Sequence, residues 1–182
     1  MGKRILSFLL AFVMVVGMIP ASAFGVFAAE PEPLENVVAH LASGSPTAQG
    51  TPTGIPTVDG TLTDHIWARA IALNANSTVT GTVAAAWAKG ILYLGVEFAG
   101  ATEMTLSLGE KTWTLSLTGT DVASADGAVT GKLGTGTAEL TVDMVKAGVN
   151  VAAYGQKVAF SLSLTDGTNT ADLGDRNILF SA

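Results

Sequence analysis

Aromatic rings and planar polar groups are the chemically most suggestive residues of this chain. Trp87, Tyr93 and Tyr154 are three of its five tryptophans and tyrosines, and Glu97, Arg176 and Asn177 supply carboxylate, guanidinium and amide groups. Aromatic faces offer apolar area at low entropy cost, and carboxylates, amides and guanidinium groups at a rim fix the orientation of hydroxyls. Such a set suits a ligand with apolar C–H faces and several hydroxyls. Strand parity sorts the rings. Tyr93 and Glu97 alternate with Leu92, Leu94, Val96 and Phe98 and so fall on the face away from the core, while Tyr154 precedes Gly155 in a loop. Trp87 shares parity with Val83 and Val79, Trp113 with Leu115 and Leu117, and Trp67 follows Ile66 on an amphipathic turn, so each is also read as core. Arg176 and Asn177 have the ordinary alternative of a solvated surface.

A second chemistry is hard-cation binding. Asp166, Asn169, Asp172 and Asp175 crowd one loop, and calcium takes several carboxylate and carbonyl oxygens. The spacing lacks the terminal bidentate Glu of an EF-hand, and Asp and Asn are the everyday residues of β-turns; a structural calcium and plain turn chemistry both stand. Catalytic groups are sparse. The chain has no cysteine, which excludes disulfides, thiol catalysis and thiolate zinc sites, and it has two histidines, His40 and His65. No nucleophile elbow, zinc-protease helix or phosphate-binding loop occurs. The reading is a non-enzyme. Asn76-Ser77-Thr78 matches a glycosylation sequon by pattern alone.

These side chains need a scaffold, and the pattern for one is strong. Met104, Leu106 and Leu108 alternate with Glu103, Thr105 and Ser107; Trp113, Leu115 and Leu117 with Thr112, Thr114 and Ser116; Val158, Phe160, Leu162 and Leu164 with Ala159, Ser161, Ser163 and Thr165. This is the signature of half-buried antiparallel strands. Gly109-Glu110 predicts a two-residue hairpin turn, Asp126-Gly127 a second turn, and Asp166-Gly167 the end of a third strand. Helix is expected only over Asp64 to Ala70, capped by the Thr63 hydroxyl, with a brief turn at Met144 to Gly148. The fold class is all-β: a mostly antiparallel β-sandwich of jelly-roll or immunoglobulin-like size with one short N-terminal helix.

The first 29 residues read as a secretory signal peptide. Lys3 and Arg4 precede an apolar run from Ile5 to Ile19, and Ala21-Ser22-Ala23 or Val26-Phe27-Ala28 supplies the cleavage site. Residues 30–53, with Pro31, Pro33, Pro46 and Pro52, form a linker or edge segment in which Leu34 to Leu41 is a short strand or helix. Residues 54–182 form the sandwich. Loss of the leader leaves seven basic against fifteen acidic residues, a net charge of about −8, which excludes nucleic acid and anionic membrane surfaces as partners. The expected location is secreted or extracellular, with cell-surface association open.

Two stretches carry a resemblance. Pro56-Thr57-Val58-Asp59-Gly60-Thr61-Leu62-Thr63-Asp64-His65-Ile66-Trp67-Ala68-Arg69-Ala70 is followed by Val83-Ala84-Ala85-Ala86-Trp87 and Ile91-Leu92-Tyr93-Leu94-Gly95-Val96-Glu97. Further on come Ala138-Glu139-Leu140-Thr141-Val142 and Gly155-Gln156-Lys157-Val158-Ala159-Phe160. Together these resemble a family 9 carbohydrate-binding module, a DOMON-like β-sandwich, over most of the chain after the leader. The pattern departs at Trp87-Ala88-Lys89, where such modules commonly read Trp-Asp, at Phe98-Ala99-Gly100, where they place an Asp, and at Arg176 to Ala182, where they run on through another loop and strand. The resemblance implies non-catalytic binding of a polysaccharide or its chain end, in the company of a larger glycoside hydrolase or surface protein, and keeps structural calcium in view. The rival is a ligand-free structural or adhesion domain with the same sandwich. A third reading, a small hydrolase, requires two acids or an Asp–His pair to meet in a cleft.

Overall fold

The computed structural model describes residues 36–42, 54–68, 70–75, 78–150 and 154–182. The leader, most of the 30–53 segment and Asn76-Ser77 of the sequon lie outside them. In chain order the strands are β1 Val37–Leu41, β2 Ile71–Ala72, β3 Thr80–Ala88, β4 Ile91–Ala99, β5 Glu103–Leu108, β6 Lys111–Ser116, β7 Asp121–Ala123, β8 Val129–Gly134, β9 Thr137–Asp143, β10 Lys157–Thr165, β11 Thr170–Asp172 and β12 Arg176–Ser181. They form one sheet in the order β6-β5-β10-β12-β1-β3-β4-β9-β8-β7, with β11 on β10 and β2 on β3. The end strands β6 and β7 approach each other, so the sheet curls into two layers around a single interior.

The alternations place the core. Met104, Leu106 and Leu108 of β5, Trp113 and Leu115 of β6, and Phe160, Leu162 and Leu164 of β10 point inward against Leu92, Leu94 and Val96 of β4 and Leu140 and Val142 of β9. Each fully buried aliphatic side chain contributes roughly 1.5–3 kcal/mol, so a core of this extent holds the chain without disulfides. The hairpin predicted at Gly109-Glu110 is there, with Leu108 opposite Lys111 and Gly109 at φ 60°.

Two features differ from the expectation. Residues 37–41 are no edge: β1 lies between β12 and β3, parallel to both, with Ala39 opposite Phe180 on one side and Ala85 on the other. Its Val37 and Ala39 are buried in the main core, which is why an apolar pair survives in a proline-rich stretch. The helix expected over Asp64 to Ala70 is a single 3-10 turn, His65–Ala68. The Trp67 N–H donates to the Asp64 carbonyl at 3.1 Å, and the Thr63 hydroxyl lies 3.4 Å from that of Thr61. The turn is held by what Trp67 touches, described next, rather than by a helical repeat.

Candidate functional site

Residues 54–68 cross the outer face of β3 and β4 as a strap, and the motif that opens the resemblance is its fastening. Ile66 and Trp67 are buried against Ala84, Ala86 and Ala88 of β3, with Ile55, Leu62 and Tyr93 packed around them. The small outward residues make the room. A Cβ on Gly95 would stand 2.7 Å from the Trp67 ring. Glu139, fully buried on the outer face of β9, receives three donors from the strap: the Trp67 indole N–H at 2.9 Å, and the backbone N–H groups of Asp59 at 2.8 Å and Gly60 at 2.9 Å. Burial pushes the Glu139 carboxyl above its ordinary value, against the pull of those donors. The Asp59 carboxylate bonds the Thr61 hydroxyl at 2.6 Å and the Thr61 N–H at 2.9 Å, which hold it below the usual carboxylate range. Gly60, at φ 91°, supplies the left-handed conformation of the turn. The buried Glu139 carboxylate and the Trp67 indole find their partners within the chain, so this pair is architecture.

The other tryptophans divide. Trp113 is buried in the core, its indole N–H 3.1–3.2 Å from the Asp126 carboxylate. Asp126 also accepts from the Ser124 hydroxyl at 2.6 Å and the Ala128 N–H at 3.0 Å; the Ser124 bond first, then that of Trp113, hold its carboxyl far below the usual range. Trp87 is half-buried at the end of β3. Its indole N–H donates to the Ser181 carbonyl at 2.9 Å. Its ring meets Phe180 edge-on at 5.5 Å and Tyr154 at 6.0 Å, distances within the favourable range for aromatic pairs.

Tyr154 is 60 % exposed, and it and Val145 are the exposed large apolar side chains among the described residues. Both belong to the same end of the sandwich. The Gly155 N–H donates to the Phe180 carbonyl at 2.8 Å and the Phe180 N–H to the Gln156 carbonyl at 3.0 Å. One turn thus sets Tyr154 against Trp87 and leads Gln156 into a cleft of about 650 Å³. Ala147, Val149 and Val158 give that cleft apolar walls, and Glu110, Lys111, Asn150 and Gln156 give it carboxylate, ammonium and amide groups. Gln156 donates its amide to the Asn150 carbonyl at 2.7 Å. The size lies inside the range of small-molecule sites, roughly 300–1,000 Å³. The lining thus pairs apolar walls with polar groups, and Tyr154 and Trp87 are not among its residues.

The remaining residues singled out from sequence scatter. Tyr93 does point away from the core, yet the strap covers that face; Tyr93 is half-buried, and burial raises its phenol above the ordinary value. Glu97 is exposed on β4 between Thr82 and Thr137. Arg176 lines a polar groove of about 290 Å³ with Asp175, and its Nε donates to the Leu173 carbonyl at 2.8 Å. Asn177 is exposed opposite Ala159. The structure therefore joins Trp87 with Tyr154 and leaves Tyr93 and Glu97 on the outer face of β4, the strand next to that of Trp87. Glu110, Asn150, Gln156 and Val149 were not singled out from sequence as site residues; the Gly109-Glu110 turn, the turn at Met144 to Gly148 and the loop at Tyr154 were the hints of this end.

The acidic loop is organised by its own backbone. Asp166 accepts from the Thr168 and Asn169 N–H groups at 2.8 and 2.7 Å and from the Asn169 side-chain amide at 2.9 Å, and these bonds, those from Asn169 first, lower its pKa. Asp172 accepts from the Gly174 N–H at 2.9 Å, and Asp175 faces the groove beside Arg176. Among the described residues no three His, Cys, Asp or Glu side chains gather in a metal-holding group.

No family model matches the chain. No curated protein matches it either. Among solved structures, the chain is similar to a family 9 carbohydrate-binding module from Caldicellulosiruptor kristjanssonii in complex with glucose, at 10 % identity and TM-score 0.46 over 80 % of this chain and 96 % of that one. It is similar also to a family 9 module from the same organism in complex with cellotriose, at 12 % identity and TM-score 0.46 over 80 % and 94 %. The family of these neighbours is the one the sequence resembles.

Proposed function

We propose that this chain is a non-catalytic carbohydrate-binding module that holds a polysaccharide through the end of the sandwich around Tyr154 and Trp87. The observation that carries the reading is the exposed Tyr154 ring, braced edge-on by Trp87 and two residues before Gln156, which lines a cleft with apolar walls and amide and carboxylate groups. In this reading the tyrosine face stacks on a sugar ring, Trp87, itself packed edge-on against Phe180, keeps it from folding flat, and Gln156, Asn150 and Glu110 orient hydroxyls. The leader-like N terminus supports secretion, and a module of this kind would keep a glycoside hydrolase or a cell surface near its polymer.

The test is depletion of the purified chain by insoluble cellulose, xylan, chitin and bacterial cell wall. We expect retention on at least one polymer and a loss of about tenfold or more in Tyr154→Ala, the scale of an anchoring aromatic. Because the ring is mostly exposed, the same substitution should change folding stability by less than about 0.5 kcal/mol. Retention unchanged by a chelator would fit the Asp166 loop as plain turn chemistry; calcium-dependent retention would reinstate the cation. A second reading, a ligand-free structural domain, is favoured by one observation: all three indole N–H groups bond within the chain. Retention on none of the polymers would move the reading there.

A further inference from the structure

The cleft beside Tyr154 has a neighbour across the Gly109-Glu110 turn. On the far side of that turn, the outer faces of β5, β6 and β10 form the groove of about 290 Å³ that Arg176 and Asp175 border. Gly109 and Glu110 line both depressions, so the two are separated by one hairpin tip and share its carboxylate. The groove floor is set by register. Ser107 lies opposite Thr112 on one side and Ser161 on the other, which brings three hydroxyls into one row across three strands; those of Ser107 and Thr112 are 2.9 Å apart. Neighbouring strands are ~4.8 Å apart, so the row presents a hydroxyl at each strand spacing. It is closed at the β12 end by a guanidinium and a carboxylate. Beside the row lie Ala159 and the backbone of Phe160, whose ring is buried in the core, so the groove presents no exposed ring for stacking and its directional contacts are the hydroxyls and the charged pair.

Resting on the carbohydrate reading above, we infer that the binding site continues over the Gly109-Glu110 tip into the Ser107–Thr112–Ser161 groove, so that the ligand is a glycan at least two linked sugars long. The aromatic side grips one ring by stacking; the groove side takes the hydroxyls of the next ring, with Asp175 and Arg176 as planar partners for neighbouring hydroxyl pairs. Glu110 stands at the linkage between them. A single sugar fills the stacking half alone, and a chain fills both.

The experiment is calorimetric titration with cello-, xylo- and chito-oligosaccharides, each as a ladder from monosaccharide to hexasaccharide. Wild-type affinity should rise by about tenfold between the shortest and the longer members of the ladder that binds, the order expected from about two net hydrogen bonds. Thr112→Arg, which fills the groove from an exposed strand position, and Asp175→Ala should lower the longer members to the affinity of the shortest and leave the shortest unchanged. Tyr154→Ala should weaken every member alike. Length-independent affinity, or groove variants that bind long chains as wild type does, would overturn the extension while leaving the Tyr154 site intact. No binding by any ladder, in chain shown folded by circular dichroism, would overturn both.

Discussion

The strap face and the aromatic end both combine a tryptophan, a carboxylate and backbone donors, yet they do opposite things with them. Over β3 and β4, Trp67 is buried, its indole bonded to Glu139, and Glu139 is in turn bonded to Asp59 and Gly60. At the other place Trp87 is half-buried, and the ring it braces, Tyr154, gives most of its surface to solvent. In the first constellation the tryptophan and the buried carboxylate are each taken up by partners of the same chain. The second has a ring face without a cover and a cleft beside it. Residue types alone do not separate binding from architecture in a β-sandwich; the closure of the hydrogen-bond set does.

The contrast breaks most sharply by truncating Trp67. Trp67→Ala should cost about 3–5 kcal/mol in urea unfolding, the range for a large buried aromatic, with a further penalty from the unpaired Glu139 oxygen. Tyr154→Ala, by comparison, should leave the urea midpoint near wild type. Equal losses from the two substitutions would collapse the distinction. A smaller and opposite perturbation is to add a methyl group. Gly95→Ala pushes a Cβ to 2.7 Å from the Trp67 ring and 3.0 Å from Leu62, and overpacking of this kind costs about 1–3 kcal/mol; Trp67→Phe in the same background should recover part of it.

Acid sharpens the comparison further, because the carboxylates respond with opposite sign. Asp126, Asp166 and Asp59 sit below their ordinary value of 3.8, so their stabilisation is present above that value and is lost as pH falls through their native pKa values. Glu139 sits above its ordinary 4.5. The native chain therefore holds this proton more tightly than the unfolded chain does, and its contribution improves as pH falls through its native pKa. Measured between about pH 7 and about pH 4, the stability of wild type relative to Glu139→Gln should rise on acidification, whereas that of wild type relative to Asp126→Asn should not. A gap for Glu139→Gln that shrinks in acid would show that the three donors outweigh burial at this carboxyl.

Much of this was legible in the sequence, for identifiable reasons. Strict alternation in 104–108, 113–117 and 158–164 fixes which side chains face inward, and Gly109-Glu110 fixes a register. What escaped depends on contacts between distant segments. Glu139 alternates with Ala138 and Leu140 and so reads as a solvated strand acid; only the strap, some eighty residues earlier in the chain, makes it buried. A clue was available in Ala84, Ala86, Ala88 and Gly95, outward positions too small and apolar for a face meant for water. The same oversight misplaced Tyr93, whose parity was right and whose face was covered. Trp87 could not be assigned by parity, since it shares the core side but ends its strand, where the core opens. The insertion of β1 between β12 and β3 was invisible, because a parallel ladder leaves no local turn to announce it.

That insertion also governs when the molecule can be completed. β12 pairs with β1 across a separation of some 140 residues, tied further by the Ser181 hydroxyl to the Ala39 carbonyl, and contacts so distant in sequence make for slow folding. Ser181 is also the residue whose carbonyl holds Trp87, and Phe180 the one that braces it. A chain emerging from synthesis can build the β3–β4 hairpin and the β5–β6 hairpin early, but the Trp87–Tyr154 platform must wait for the last strand to find the first. Competence of that platform is thus a report that the whole sheet has closed.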